Sequence, residues 1–498
     1  MKKTKSPYPD WVIKHRKPGT EVRLMRGKFY IYEVSSVYDK EKKRARKITG
    51  KYLGKITEEE GFVASNFVKV PKSLPLINEN KITTREYGMG AFLEHYCSDI
   101  IDILKIHFPE QWEWLVACLY GRLVHSSPIK NIGYYFKRSY LRESINITLN
   151  PKNVSQLLRD VGKNRTPLQN YMKSFLGSSV ALIDATSIVS YSKNLERNHV
   201  SKTKNGTYEP LFNLLYFYQP GTFTPAYYRL FDGNIKDIKM IQMAVEESGY
   251  KDALVIADKG FCSDENLEIL DHSNLKFITP LKRNSTFIKK ELISDLPKGE
   301  QMFLFAGRII YYTSYGCPDP KVKKKSSKKS ERPLRRIHIF VDEEAMIKEK
   351  KDFVHRMNKH PQTYTKEKFQ EKLNEFGTFV AITNLEEDAE VIYQYYKSRI
   401  GIEVLFDGVK NILGNDSTYM QNNDALEGWM FINHLTLQIH HKIYQLLTTY
   451  NMISKTSVRD FIEYLSDIRI VKVNNKWIME TMPKDQQNLL SKLNLSIT

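Results

Sequence analysis

The chain has 498 residues, 41% of them hydrophobic, enough for about three or four domains with apolar cores. Its 76 Lys and Arg outnumber 57 Asp and Glu, for a formal charge of +19, a surplus that favours polyanions and binding that weakens as salt rises. No apolar run is long enough to span a membrane, the start MKKTKSPYPDW lacks the stretch of a signal peptide, and Cys97, Cys118, Cys262 and Cys317 form no C-x-x-C pair; the expectation is a cytoplasmic protein with no membrane partner, zinc site or disulfide framework.

Residues 1–62 read as a small basic β module. Positions 21–56 alternate apolar with basic, and Gly27, Asp39 and Gly50 stand at turn positions, which predicts a three-stranded meander. Arg44, Arg46, Lys47, Lys51 and Lys55 interleave with Tyr38 and Tyr52, a pattern that suits nucleic-acid contact and a plain charged face about equally. Residues 80–175 read as a helical domain, with apolar spacing near 3.6 over 85–104 and 111–123 and a further helix capped by Asn153. DNA binding is its preferred role, given the basic surplus, and dimerisation or bracing the alternative.

Strands follow at 179–191, 210–218 and 224–231, then a helix at 237–249, a strand at 252–258 and a helix at 263–273. In VALIDATSIV the apolar run 180–183 ends at Asp184, and in DALVIADKGF the run 254–257 ends at Asp258. Carboxylates at strand ends sit where α/β folds place chemistry, although either Asp alone would serve equally as a helix or turn cap. Far more chain separates Asp258 from Glu403 than one strand and two helices use, so an insertion is expected at 284–378. Its strand-like segments surround a basic run with Lys323, Lys324, Lys325, Arg335 and Arg336, suited to DNA phosphates or to plain solvation. Residues 343–375 read as one or two charged surface helices, and 379–382 as a strand.

The helix from about 388 carries YKSRIGIEVLFDGVK, in which Tyr396, Arg399, Glu403 and Lys410 share a face with Ile392, Phe406 and Leu413. That stripe points Glu403 inward, where an ionised carboxylate costs several kcal/mol without a cation or donor; a surface pair with Arg399 is the alternative. A long apolar helix over 425–447 includes His434, His440 and His441, to which no ligand role is assigned, and 451–498 reads as a charged helical cap or subunit contact.

Tyr396, Arg399, Glu403 and Lys410 match the signature Y-x2-R-x3-E-x6-K at every spacing, and the blocks DATSI, GNIKD and ADKGF precede it in order. On these blocks the chain resembles the DDE transposases of bacterial insertion sequences over roughly residues 175–445. The resemblance implies an α/β, RNase H-like core at 176–283 and 379–450: a mixed five-stranded sheet with helices on both faces, interrupted by a strand-rich insertion. It implies Asp184, Asp258 and Glu403 as the catalytic, metal-binding triad, and Tyr396, Arg399 and Lys410 as a grip on terminal phosphates. Three carboxylates without soft ligands suit hard cations, so two Mg²⁺ ions are expected, with Mn²⁺ able to substitute. The implied activity is metal-dependent cleavage at element ends and transfer of the 3′-hydroxyl into target DNA, in cut-and-paste fashion. Partners would be double-stranded DNA, as terminal inverted repeats and target, and a second subunit in a homodimer, since two ends are joined in one event. A nuclease without strand transfer and a DNA-binding protein derived from a transposase are the rival readings. Some relatives stack a flipped base on an aromatic of the insertion; here Phe303, Phe305, Tyr311, Tyr312 and Tyr315 are the candidates, and nothing in the sequence selects one.

Overall fold

The computed structural model describes residues 7–497, apart from 40–42, 66–81, 178–179, 204–205, 221, 223, 257–262, 284, 297–300, 318–334, 410–416 and 419. It divides into two compact units, Met1–Asn80 and Lys81–Thr498.

In the first unit, α1 (Asp10–Ile13) precedes β1 (Thr20–Met25), β2 (Lys28–Asp39), β3 (Arg44–Thr57) and β4 (Gly61–Ala64), an antiparallel sheet in sequential order. The meander has four strands rather than three, because the chain turns back once more at Gly61, whose φ of 70° suits glycine. Gly27 does sit in a turn, but Gly50 lies inside β3. One sheet face buries Val22, Ile31 and Ile56 under Val12 of α1. The central pair outruns its neighbours: β1 pairs with β2 only as far as Glu33, whereas β2 and β3 stay paired to Asp39 and Arg44.

The second unit opens with β5 (Ile82–Glu86) and the helices α2 (Gly88–Tyr96), α3 (Ser98–His107), α4 (Trp112–His125), α5 (Ile132–Phe136), α6 (Leu141–Ser144), α7 (Pro151–Lys163) and α8 (Arg165–Lys173). The cap of α7 is Asn150, whose side chain accepts from the Asn153 amide at 2.9 Å, with Pro151 in the first turn; Asn153 is already helical. These helices do not form a separate core, since their buried residues belong to the same cluster as the central sheet.

That sheet begins with β6 (Ala181–Ser190), β7 (His199–Lys202), β8 (Tyr208–Gln219) and β9 (Thr224–Asp232), followed by α9 (Asp237–Ser248), β10 (Ala253–Ile256), α10 (Asp264–His272) and β11 (Lys276–Pro280). Five strands stand in the order β9, β8, β6, β10, β11, with the first three antiparallel and β10 and β11 parallel to β6. This is the RNase H-like arrangement, and β8 is an almost unbroken apolar run because it is covered on both faces. After α11 (Glu291–Asp295) come β12 (Met302–Phe305), β13 (Arg308–Gly316), β14 (Arg336–Asp342), α12 (Glu343–Lys359), α13 (Lys366–Glu371) and β15 (Thr378–Thr383). The inserted strands extend the central sheet: β15 pairs antiparallel with β11, and β14, β13 and β12 continue outward from it. Phe303 and Phe305 are engaged in packing against Tyr393.

The chain continues through α14 (Ala389–Asp407), the short β16 (Ser417–Thr418) and α15 (Asn423–Thr449), and ends with α16 (Val458–Ser466), β17 (Arg469–Val473), β18 (Lys476–Met479) and α17 (Lys484–Lys492). The tail is therefore not purely helical: β17 joins β18 to β5 in a three-stranded sheet that ties it to the start of the unit.

Helix α15 runs through the interior and crosses α7 at a reciprocal glycine contact. A methyl on Gly428 would lie 2.1 Å from the Leu158 carbonyl oxygen, and one on Gly162 1.8 Å from that of Asp424. Gly428→Ala should lower unfolding stability by about 1–3 kcal/mol, read as a reduced urea midpoint, since two backbones must separate to admit it.

The same helix buries His434, His440 and His441, and among the described residues neither ring nitrogen of His434 or His441 has a hydrogen-bond partner. His434 lies among Tyr216, Tyr228 and Phe431. Burial pushes His434 and His441 down to about 3, and His440 to about 4. Unfolded, each ring gains its proton near pH 6.5. The unfolded chain thus binds more protons below that pH, so the stabilisation is complete above pH ~6.5 and is lost as pH falls toward 4, by up to about 1.4 kcal/mol per pH unit per histidine. Urea midpoints should drop across this window, and His434→Phe should flatten the slope by about a third; an unchanged slope would assign the pH dependence to other groups.

Candidate catalytic site

Asp184 is the fourth residue of β6, inside the strand rather than at its end, and pairs across to Tyr216 of β8. Cross-strand partners share a face, so Asp184 lies on the side where Tyr216 meets Phe406 of α14 with ring centroids 6.2 Å apart. Its Oδ1 accepts from the Ala185 amide at 2.8 Å, and its side chain is 30% exposed.

Helix α14 places the second carboxylate, and it changes its buried side along its length. The first half packs Ala389 and Tyr393 against Ile310 and Phe340 of the inserted strands, and Tyr396 stacks on Phe379 at 4.2 Å. The second half buries Ile402 and Leu405 in the main core. Gly401 seats it closely on β8: an added methyl would fall 2.4–2.6 Å from ring and hydroxyl atoms of Tyr218, itself 1% exposed.

Arg399 and Glu403 sit where the buried side changes. Glu403 does not point inward as the stripe predicts; its side chain is 55% exposed, because Ile402 and Leu405 carry the burial at that end. The guanidinium of Arg399 reaches both carboxylates, with Nη1 3.2 Å from Glu403 Oε1 and Nη2 3.8 Å from Asp184 Oδ2. Strand β10 lies beside β6, with Val255 opposite Ile183. Asp258 follows the end of β10 at Ile256 by two residues and lies outside the described residues, as do Lys323, Lys324, Lys325 and Lys410.

Arg335 is turned to another purpose. Its guanidinium lies 2.7 Å from Asp271, with the side chain 9% exposed, and this buried pair removes it from the candidate DNA contacts. Arg336 begins β14, paired to Gly316 on one side and Thr383 on the other. Sequence reasoning also missed a buried ionic cluster: Glu427 of α15, 4% exposed, meets Arg165, Arg197 and Arg229, and Glu247 joins Arg165 and Arg229. It fastens α8, α9, β9 and α15 together, and its signal in the sequence is one acidic residue, Glu427, beyond the first turn of an otherwise apolar helix.

Residues 176–439 match the family model of the transposase DDE domain, more than half of the chain. The chain belongs to the DDE transposase family. Asp184, β10 and Glu403 all fall within the matched span of the transposase. No curated protein matches it. Among solved structures, a cryo-EM structure of a piggyBac transposase synaptic complex with hairpin DNA is similar over 76% of this chain and 79% of that one, at 12% identity and a TM-score of 0.36. Among the described residues no helix is long and apolar enough to cross a membrane. The side chains of Asp184 and Glu403 of the transposase are 30% and 55% exposed beside the Arg399 guanidinium, and such an all-oxygen donor pair suits a hard divalent ion.

Proposed function

We propose that this transposase belongs to a bacterial insertion sequence, cuts DNA at the element's terminal inverted repeats, and transfers the 3′-hydroxyl ends into target DNA. The observation that carries the reading is the convergence of Asp184 and Glu403, remote in the chain, on the two arms of one guanidinium, beside the strand that leads to Asp258.

Asp184, Asp258 and Glu403 would hold two Mg²⁺ ions, for which Mn²⁺ can substitute. When bound, such a pair activates the attacking oxygen and neutralises the leaving one in an in-line phosphodiester displacement. Asp184, on the central strand of the five, would be one of the carboxylates that hold them. Arg399 pairs with both described carboxylates, and a planar guanidinium there has the geometry that suits a terminal phosphate. Tyr396, on the same helix, and Lys410 complete the grip.

The protein acts as a homodimer on paired ends, in the cytoplasm at the nucleoid. The helices between 80 and 175 read the ends, and the insertion, through Lys323, Lys324, Lys325 and Arg336, steadies the flanking DNA. Incubation of the full chain with Mg²⁺, DNA carrying the element's terminal repeats uncut within flanking sequence, and a target plasmid tests the reading. Joined products support it; cutting without joining would replace it with a nuclease, and binding without either reaction with a DNA-binding protein.

A further inference from the structure

The first unit contains a feature that the catalytic reading does not use. Past Glu33 and Gly50, β2 and β3 continue as a two-stranded ribbon through the pairs Val34 with Thr49, Ser36 with Lys47, Tyr38 with Ala45 and Asp39 with Arg44. No third strand flanks this stretch among the described residues. Six residues of strand reach about 20 Å. A lone two-stranded hairpin is marginal in water, yet this one also exposes Val37 at 55%, Tyr38 at 62% and Ile48 at 43%. Lys43, Arg44, Arg46 and Lys47 are all exposed on it, against the single acid Asp39 among its described residues. Lys47 reaches Glu21 at 2.6 Å at the ribbon's base, which leaves Lys43, Arg44 and Arg46 as the basic side chains toward the tip. At the base, Arg23 lies over the Tyr32 ring at 5.1 Å, and Tyr32 and Tyr30 flank Tyr52.

We propose that this ribbon binds duplex DNA by entering the major groove with the face that carries Val37, Arg44, Arg46 and Ile48, which the pairs Val37 with Arg46, Asp39 with Arg44 and Ser35 with Ile48 put on one side: Val37 and Ile48 meet the groove, and Arg44 and Arg46 reach the phosphates at its edges. A two-stranded ribbon has the cross-section the major groove admits. The apolar tips and the basic surplus are a combination that water alone does not satisfy but a base-edge and phosphate surface does. The assignment rests on the transposase reading for the identity of the partner, and it adds the element that grips it.

The test measures fluorescence anisotropy of the full chain on a labelled duplex carrying the terminal repeats, and on an unrelated duplex of equal length. Salt is varied and EDTA is present, so that no cutting occurs. Arg44→Ala/Arg46→Ala should weaken binding at least about tenfold near 0.1 M salt and make the salt slope shallower by about two units, one per lost phosphate contact. Lys476→Ala/Lys484→Ala, which removes the same charge elsewhere, should bind as wild type does. A ribbon variant with wild-type affinity and slope, an equal loss in both double variants, or a wild-type chain that binds neither duplex would overturn the proposal. Ribbon-dependent binding by a chain that never joins ends with Mg²⁺ would retain the ribbon and remove the transposition mechanism.

Discussion

Glu403→Gln is expected to reduce joining of pre-cleaved ends by at least about 10³-fold, roughly 4 kcal/mol of transition-state stabilisation, while the folded protein stays as stable as wild type. The two halves of that expectation have different sources. The substitution keeps the shape and deletes the charge a divalent ion needs. The side chain is more than half exposed and its pair with Arg399 lies at a helix surface, so stability should shift by no more than about 0.5 kcal/mol. Joining is read from gel-resolved products with Mg²⁺, and stability from urea unfolding. A variant that joins normally would make Glu403 an ordinary surface partner of Arg399. A variant that loses joining only because it unfolds would give it a structural role.

The second large effect is expected at Gly401, which has no chemistry of its own. Its missing side chain allows α14 to seat against Tyr218, where an added methyl would come within 2.4 Å of the ring. Tyr218 is fully enclosed and lies beside His441, with centroids 5.9 Å apart, so the helix must yield rather than the ring. A displacement of about 1 Å at a reacting group costs on the order of 100-fold in rate. Gly401→Ala should therefore slow joining by about that factor and leave DNA binding in EDTA unchanged. Adding Tyr218→Leu, which removes the obstructing ring atoms, should restore part of the rate. A loss that Tyr218→Leu does not relieve would mean that Gly401 acts by some route other than seating the helix.

The central strands were legible because β6, β8, β9 and β10 are apolar runs of the right length, and their order with α9 and α10 follows from the chain itself. The insertion was legible as strand-rich but not as an extension of the same sheet, since no local pattern encodes which edge an inserted hairpin will join. The pairing of β17 with β5 was illegible for the same reason: its partners lie at opposite ends of the unit. Glu403 was found by its spacing from Tyr396 and Arg399, yet its inward direction was misread. One periodic stripe assumes one partner along a helix, whereas α14 packs first on Phe340 and then on the core through Leu405. Arg335 shows the limit of composition: adjacent in sequence to a Lys-rich run, it is held by Asp271, a residue far away in the chain.

The account depends most on Asp184, Asp258 and Glu403 serving one metal centre, and this is open to direct measurement without any DNA reaction. Fe²⁺ can be loaded in place of Mg²⁺ in the full-length protein and treated with ascorbate and peroxide, so that hydroxyl radicals cut the backbone close to the metal. The account predicts cuts clustered at three separate places, around residues 184, 258 and 403, all suppressed by excess Mg²⁺ and weakened together by Asp184→Asn. Cuts at only one of these places, or a pattern unaffected by Asp184→Asn, would contradict it.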